Sequence, residues 1–302
     1  MAARDLSPTP AFSRFGTGAG ARTRRQAFRV LVTIVMGALA AAWLVPLWLV
    51  VISAMKSTPE YVHDASQWAL PRAPLTLFQN MSAAWTLGGI GPGFLASLIY
   101  GVCGASLAII FASLGAYSIT RLRIRGRFFW FLLVFSGTLF PFQMYLIPLF
   151  KLYEDTGLYD TWIGMICFYT AIAIPFCLFV LRSFFATVPR ELQEAARLDG
   201  GTDFGIFWRI FVPLARAPMA VLFLFQFTWI WNDLLFGLVL STSSGIRPIN
   251  PSLAGLQGTY ASAGTPTVLG GALLASLPTV LLFLLLGRSI MQGLTLTTGR
   301  TS

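Results

Sequence analysis

Six apolar runs, at about 28–52, 94–119, 128–150, 161–182, 211–240 and 268–290, set what this chain can fold into. Each is long enough to cross about 30 Å of hydrocarbon as a helix. Inside a bilayer the backbone must satisfy its own polar groups, so helices are the expected form. Charged residues make up only 11% of the 302 and mean hydropathy is +0.73, whereas a soluble domain carries about a quarter charged residues. The expected class is an all-α membrane protein with six transmembrane helices. Pro46, Pro141, Pro148, Pro175, Pro213 and Pro278 fall within the runs. They suit kinked helices around a cavity and equally suit ordinary membrane-helix packing.

Orientation follows from where Lys and Arg fall. Arg4, Arg14, Arg22, Arg24, Arg25 and Arg29 precede or open the first run. Arg121, Arg123, Arg125 and Arg127 follow the second; Arg182, Arg190, Arg197, Arg209 and Arg216 flank or fill the segment after the fourth. With Arg288 and Arg300, seventeen of the 21 basic residues share one side, leaving Lys56, Arg72, Lys151 and Arg247 for the other. Both termini and the 183–210 segment are therefore expected in the cytoplasm of a multi-pass protein. The net charge of +10 is distributed as a topology signal, which argues against a nucleic-acid partner.

The expected organisation is a basic, disordered cytoplasmic tail over 1–27, a six-span domain over 28–291 and a cytoplasmic C-terminal tail over 292–302. The first run exceeds the apolar stretch of a signal peptide and no small-residue cleavage site follows it, so it reads as a retained span. Cys103, Cys167 and Cys177 lie inside apolar runs without metal-ligand spacing and read as small lipid- or core-facing residues.

Between the fourth and fifth runs stands a charged segment, Pro189 to Gly201, in a chain otherwise dominated by apolar residues. Pro189 fits a first helical turn, Glu191 and Glu194 suit the positive end of the helix dipole, and Gly200-Gly201 supplies a stop. Thr202 or Asp203 then caps a second helix running towards Pro213. Ala195 and Ala196 allow close approach of another surface, and the charges fix its orientation. A helix lying on lipid headgroups is the competing reading, against which the acidic side chains count.

Glu194-Ala195-Ala196, three residues, Gly200, nine residues, then Ile210-x-Val212-Pro213 resembles the signature loop of ABC-importer permeases, E-A-A-x-x-x-G followed by I-x-L-P, with Val212 for Leu. Gly115-Ala116-Tyr117, Pro148-Leu149-Phe150, Trp231-Asn232-Asp233 and Gln292-Gly293-Leu294-Thr295 are similar to the carbohydrate branch, specifically the smaller six-span subunit of maltose-type systems. That branch usually has Ala where this chain has Gly201, which predicts a slightly looser helix end. The resemblance implies a cytoplasmic coupling helix that meets an ATPase through Glu191, Glu194, Ala195, Ala196, Asp199, Gly200, Ile210 and Pro213. It implies a permease of the bacterial inner membrane that forms part of a path for a sugar or sugar-like solute. The implied partners are a second permease as a hetero-dimer, two cytoplasmic ATPase subunits and an extracytoplasmic solute-binding protein.

No cofactor is expected on this chain; ATP and Mg belong to the partner ATPase. Neither Lys56 nor Lys151 stands in a P-loop, so the chain reads as non-catalytic, with no catalytic residue and no metal site. His63 beside Asp64 lacks a nucleophile at a useful spacing and reads as a solvated loop residue. Gly88 to Gly93 opens a span without a βαβ context and reads as a turn. The most polar patch within the runs is Gln226, Trp229, Trp231, Asn232 and Asp233, with Gln143 a weaker candidate for the same cavity. It reads either as lining of the translocation path or, for Asn232 and Asp233, as a contact to a neighbouring helix. A secondary transporter would need an ion-coupling charge network or a visible repeat. An ABC permease for another solute is the nearer alternative.

Overall fold

The computed structural model describes residues 19–64, 66–87, 89–257 and 263–298; helices and their connections account for them, with no strand among the described residues. The chain divides into two compact units, ending and beginning at Val50 and Val51. The division falls within α1 (Ala19–Ala54), whose residues 26–48 are exposed. The tail expected over 1–27 thus lies partly outside the described residues, while 19–27 are helical.

In the second unit, α2 (Thr58–His63) opens with a capping box between Ser57 and Glu60. α3 (Thr76–Leu87) is tied back by Asn80, whose amide donates to the carbonyls of Ala54 and Lys56, both at 2.9 Å. The buried Lys56 ammonium lies 2.9 Å from the carboxylate of Asp64, so Asp64 serves an ion pair; His63 remains exposed beside it.

α4 (Ile90–Arg121) carries the second run unbroken. The third run is broken: α5 (Arg127–Ser136) stops before Pro141, a single 3₁₀ turn spans Phe142–Tyr145, and α6 (Leu146–Thr156) resumes. Proline offers no N–H to the ladder, and hydropathy does not register the interruption. α7 (Trp162–Thr187) carries the fourth run with Pro175 inside it.

Then come α8 (Arg190–Leu198), α9 (Asp203–Ile206), a π-turn over Phe207–Phe211 and α10 (Val212–Leu214). The axis turns by 73° into α11 (Arg216–Trp231). Pro218 lies in the first turn of α11 and cannot donate to Leu214, which accounts for the bend there. α12 (Leu235–Leu240) follows a break at 232–234, so the fifth run is also discontinuous. α13 (Ile249–Gly255) and α14 (Thr265–Thr298) complete the unit, with α14 passing the expected end of the last span.

α4 and α7 form the centre. The buried face of α4 repeats small residues every fourth position (Gly104, Ala108, Ala112 and Ala116), which lets neighbouring backbones approach without a hydrophobic drive from water. A Cβ on Gly101 would meet the ring of Phe227 at 2.8 Å. Cys177 is buried, Cys103 half-buried and Cys167 exposed, as small apolar residues on different faces.

Candidate functional site

Local chemistry marks both ends of α8. Pro189 occupies the position before the first helical residue, Glu191 lies in the first turn and Arg197 in the last, complementing the helix dipole. Gly200 adopts φ +79°, and two bonds seal the end: Gly200 N–H to Arg197 C=O at 3.0 Å and Gly201 N–H to Ala196 C=O at 2.9 Å. This is a Schellman motif. The looser end expected from Gly201 is not seen. A Cβ there would come within 2.6 Å of the Ala196 carbonyl oxygen, so glycine suits this tight closure.

Thr202 caps the next helix by accepting from Gly205 N–H at 3.2 Å. Across the turn, Arg197 Nη2 donates to Asp203 Oδ1 at 2.6 Å, bridging the two helices. Gln193 is buried and anchors α8, while Glu191, Glu194, Ala195 and Asp199 are exposed. Leu198 and Phe204 are 90% and 70% exposed, leaving large apolar groups uncovered beside the charges. A polar helix with protruding apolar side chains has the composition of a protein-docking surface.

The motif's second half lies in the π-turn and α10. Ile210 and Pro213 are half-buried there, and the turn's Phe207 and Phe211 rings pack 5.3 and 5.0 Å from Tyr117 near the end of α4. Phe211 also meets Phe185 near the end of α7 at 5.4 Å. The π-turn is therefore wedged between the two central helices.

The membrane patch separates into two parts. Gln226 and Trp229 line a cavity of about 280 Å³ with Thr138, Phe142, Ile172 and Phe225. Gln143 is exposed and does not line it. Asn232 donates to the Thr228 carbonyl of its own helix at 2.7 Å and is also exposed. Asp233 accepts from the Tyr169 hydroxyl at 2.9 Å and from Gly237 N–H at 2.9 Å, so it caps α12 and ties it to α7. Of the expected patch, Gln226 and Trp229 come together, Gln143, Asn232 and Asp233 stand elsewhere, and Trp231 is buried, its indole donating to the Ala275 carbonyl at 2.8 Å.

Residues 104–292 match the family model described as binding-protein-dependent transport system inner membrane component, which covers more than half of the chain. The chain belongs to this family. The permease is 32% identical over 249 residues to the diacetylchitobiose uptake permease NgcG of Streptomyces coelicolor, covering 82% of this chain and 80% of that protein. It is 31% identical over 265 residues to the melibiose/raffinose/stachyose import permease MelC of Bacillus subtilis, covering 87% and 94%. The fold matches the crystal structure of a bacterial ABC transporter for import of the acidic polysaccharide alginate, with TM-score 0.73, 22% identity and 93% and 99% coverage.

The permease also uses residues that its sequence did not single out. Arg121 donates from one nitrogen to the carbonyls of Phe185 and Val188, joining the ends of α4 and α7. Asp160, at φ 53°, accepts from the N–H groups of Thr242 and Ser243 at 2.8 and 3.0 Å and from the Ser243 hydroxyl. Burial raises the Asp160 pKa, but these hydrogen bonds and nearby Arg247 outweigh it and hold the carboxyl below its ordinary value. The position of Arg121 at a span end and the lone acid three residues after Gly157 were the available signals.

Proposed function

We propose that this permease is one of two membrane subunits in an ATP-driven importer for a sugar or sugar-like solute. Both termini and α8 face the cytoplasm of a bacterial cell. A second, different permease completes the path, and two ATPase subunits bind and hydrolyse ATP with Mg. An extracytoplasmic binding protein delivers the solute. The carrying observation is α8 itself: a short polar helix, sealed at its C-terminal end, that exposes Glu191, Glu194, Ala195 and Leu198, while the π-turn that follows α9 is wedged between α4 and α7.

The wedge supplies a mechanism. Closure of the ATPase pair displaces α8, and the rings of Phe207 and Phe211 transmit that displacement to Tyr117 and Phe185. A packed aromatic cluster shifts as a body because close-packed interiors transmit strain. The 73° bend directs the motion into α11, where Gln226 and Trp229 line their cavity. There, sugar hydroxyls bond the amide while a sugar face stacks on the indole.

The sugar assignment draws on the cargoes named for the two relatives. It is tested by reconstituting the full complex and measuring ATP hydrolysis stimulated by its binding protein, loaded with oligosaccharides or with amino acids. Stimulation by the sugar-loaded form alone is expected; stimulation only by an amino-acid-loaded form would overturn the cargo.

A further inference from the structure

Arg121, Arg123, Arg125, Arg127, Arg190 and Arg197 line a cavity of about 410 Å³ between the α4–α5 turn and α8. Arg127 and Arg190 also line an adjoining cavity of about 320 Å³, together with Arg182 from the end of α7. The only carboxylate lining either is Glu194. Among the described residues, Arg197 alone of these arginines has a carboxylate within ion-pair distance, that of Asp203. Arg182 is instead held over the Phe131 ring at 4.2 Å, and Arg121 is bonded to the carbonyls of Phe185 and Val188, which leaves Arg123, Arg125, Arg127 and Arg190 without a partner among the described residues.

Three further donors, on residues that line the larger cavity, are buried without a partner among the described residues: the Thr120 hydroxyl, Arg121 Nε and Gln193 Nε2. Buried polar groups are normally bonded, and like charges this dense repel one another. Unpartnered donors and unpaired guanidinium groups together call for an anion with several oxygens. Phosphate meets that need, because the arginine fork pairs with it in bidentate fashion.

The surroundings select the source of the phosphate. Phe128 lines the smaller cavity, and Phe128, Phe129, Leu132 and Leu133 leave an exposed apolar face on α5 directly after the arginines. A free anion gains nothing from that face, whereas acyl chains do. We infer that the arginine cavity binds the phosphate of an anionic phospholipid, whose chains lie along α5. Arg190 is the first residue of α8, so the lipid tethers the docking helix to its leaflet and makes coupling sensitive to anionic lipid content. The leaflet's identity rests on the orientation proposed above; lipid retention by purified protein does not, so the two fail separately.

The test uses the assembled complex in phosphatidylcholine nanodiscs doped with phosphatidylglycerol, reading retained lipid by native mass spectrometry. Arg127→Gln/Arg190→Gln is expected to lose phosphatidylglycerol by about ten-fold or more, the scale of lost charged hydrogen bonds. The charge-matched Arg209→Gln/Arg216→Gln, at exposed positions lining neither cavity, is expected to retain it within about two-fold. Thr120→Val removes only an unbonded hydroxyl and is expected to cost several-fold in retention; it carries the test if the double variant does not assemble. Inorganic phosphate is expected not to displace the lipid. Equal losses in the two double variants, an unaffected Thr120→Val, no preference for phosphatidylglycerol, or displacement by inorganic phosphate would each overturn the site.

Discussion

The guanidinium of Arg121, in the last turn of α4, lies 5.1 Å from the centre of the Phe211 ring in the π-turn that follows α9. The same group donates to the carbonyls of Phe185 and Val188, so one side chain ties together both central helices and the π-turn. Replacing Arg121 with Ala is expected to cost about 3 kcal/mol, since two charged hydrogen bonds and a cation–π contact go together. Lys keeps the charge without the planar fork and should recover about half of that. Thermal unfolding of the purified complex, followed by tryptophan fluorescence, measures both.

Gly200 sits in the left-handed region, where a Cβ is penalised. Gly200→Ala should destabilise the end of α8 by about 1–2 kcal/mol, and Gly200→Asn by less, because Asn tolerates that conformation. Since nothing packs within 4 Å of a Cβ built there, the loss is conformational. Hydrogen exchange at the amides of residues 199–201 should rise in the Ala variant and rise less in the Asn variant.

Asp160 joins the α6–α7 turn to residues 242–243, some 83 positions away in sequence. Its carboxyl is held below the ordinary 3.8, so the charged form is the stabilising one. That contribution is present in full above the ordinary value and fades as pH falls through the lowered folded value. Unfolding measured from pH 6 down to about pH 3 should show wild type and Asp160→Asn converging at the acidic end.

Gln226 and Trp229 share a cavity from which Asp233 is absent, so substitutions at the two places should differ in kind. Trp229→Ala and Gln226→Leu should raise the transport KM while leaving the complex assembled. Asp233→Ala removes the cap of α12 and its bond from Tyr169, and should lower stability by about 1–2 kcal/mol. Transport kinetics and unfolding measured on the same preparations separate the two effects.

Much of α8 was legible because its determinants are local. Pro189 marks the start, Gly200 the stop and Thr202 the next cap, all within a few residues. The interruptions of the third and fifth runs were hidden because Gly137 to Pro141 and Asn232-Asp233 scarcely dent the hydropathy of a long apolar window. Read for capping chemistry, Asp233 four residues before Gly237 was a helix start inside the fifth run. The Asp160 knot and the Arg121 junction depend on partners more than sixty residues away, which spacing along one chain does not reveal.

In the proposed function α8 transfers force from the ATPase, and Glu194 is exposed on that helix beside Ala195. The most direct measurement compares wild type with Glu194→Arg for co-purification with the ATPase subunits and for ATP hydrolysis stimulated by the binding protein. Charge reversal at a docking surface should weaken association by about ten-fold or more and abolish stimulation, while the membrane part remains folded. Full assembly and full stimulation in the Glu194→Arg complex would contradict it.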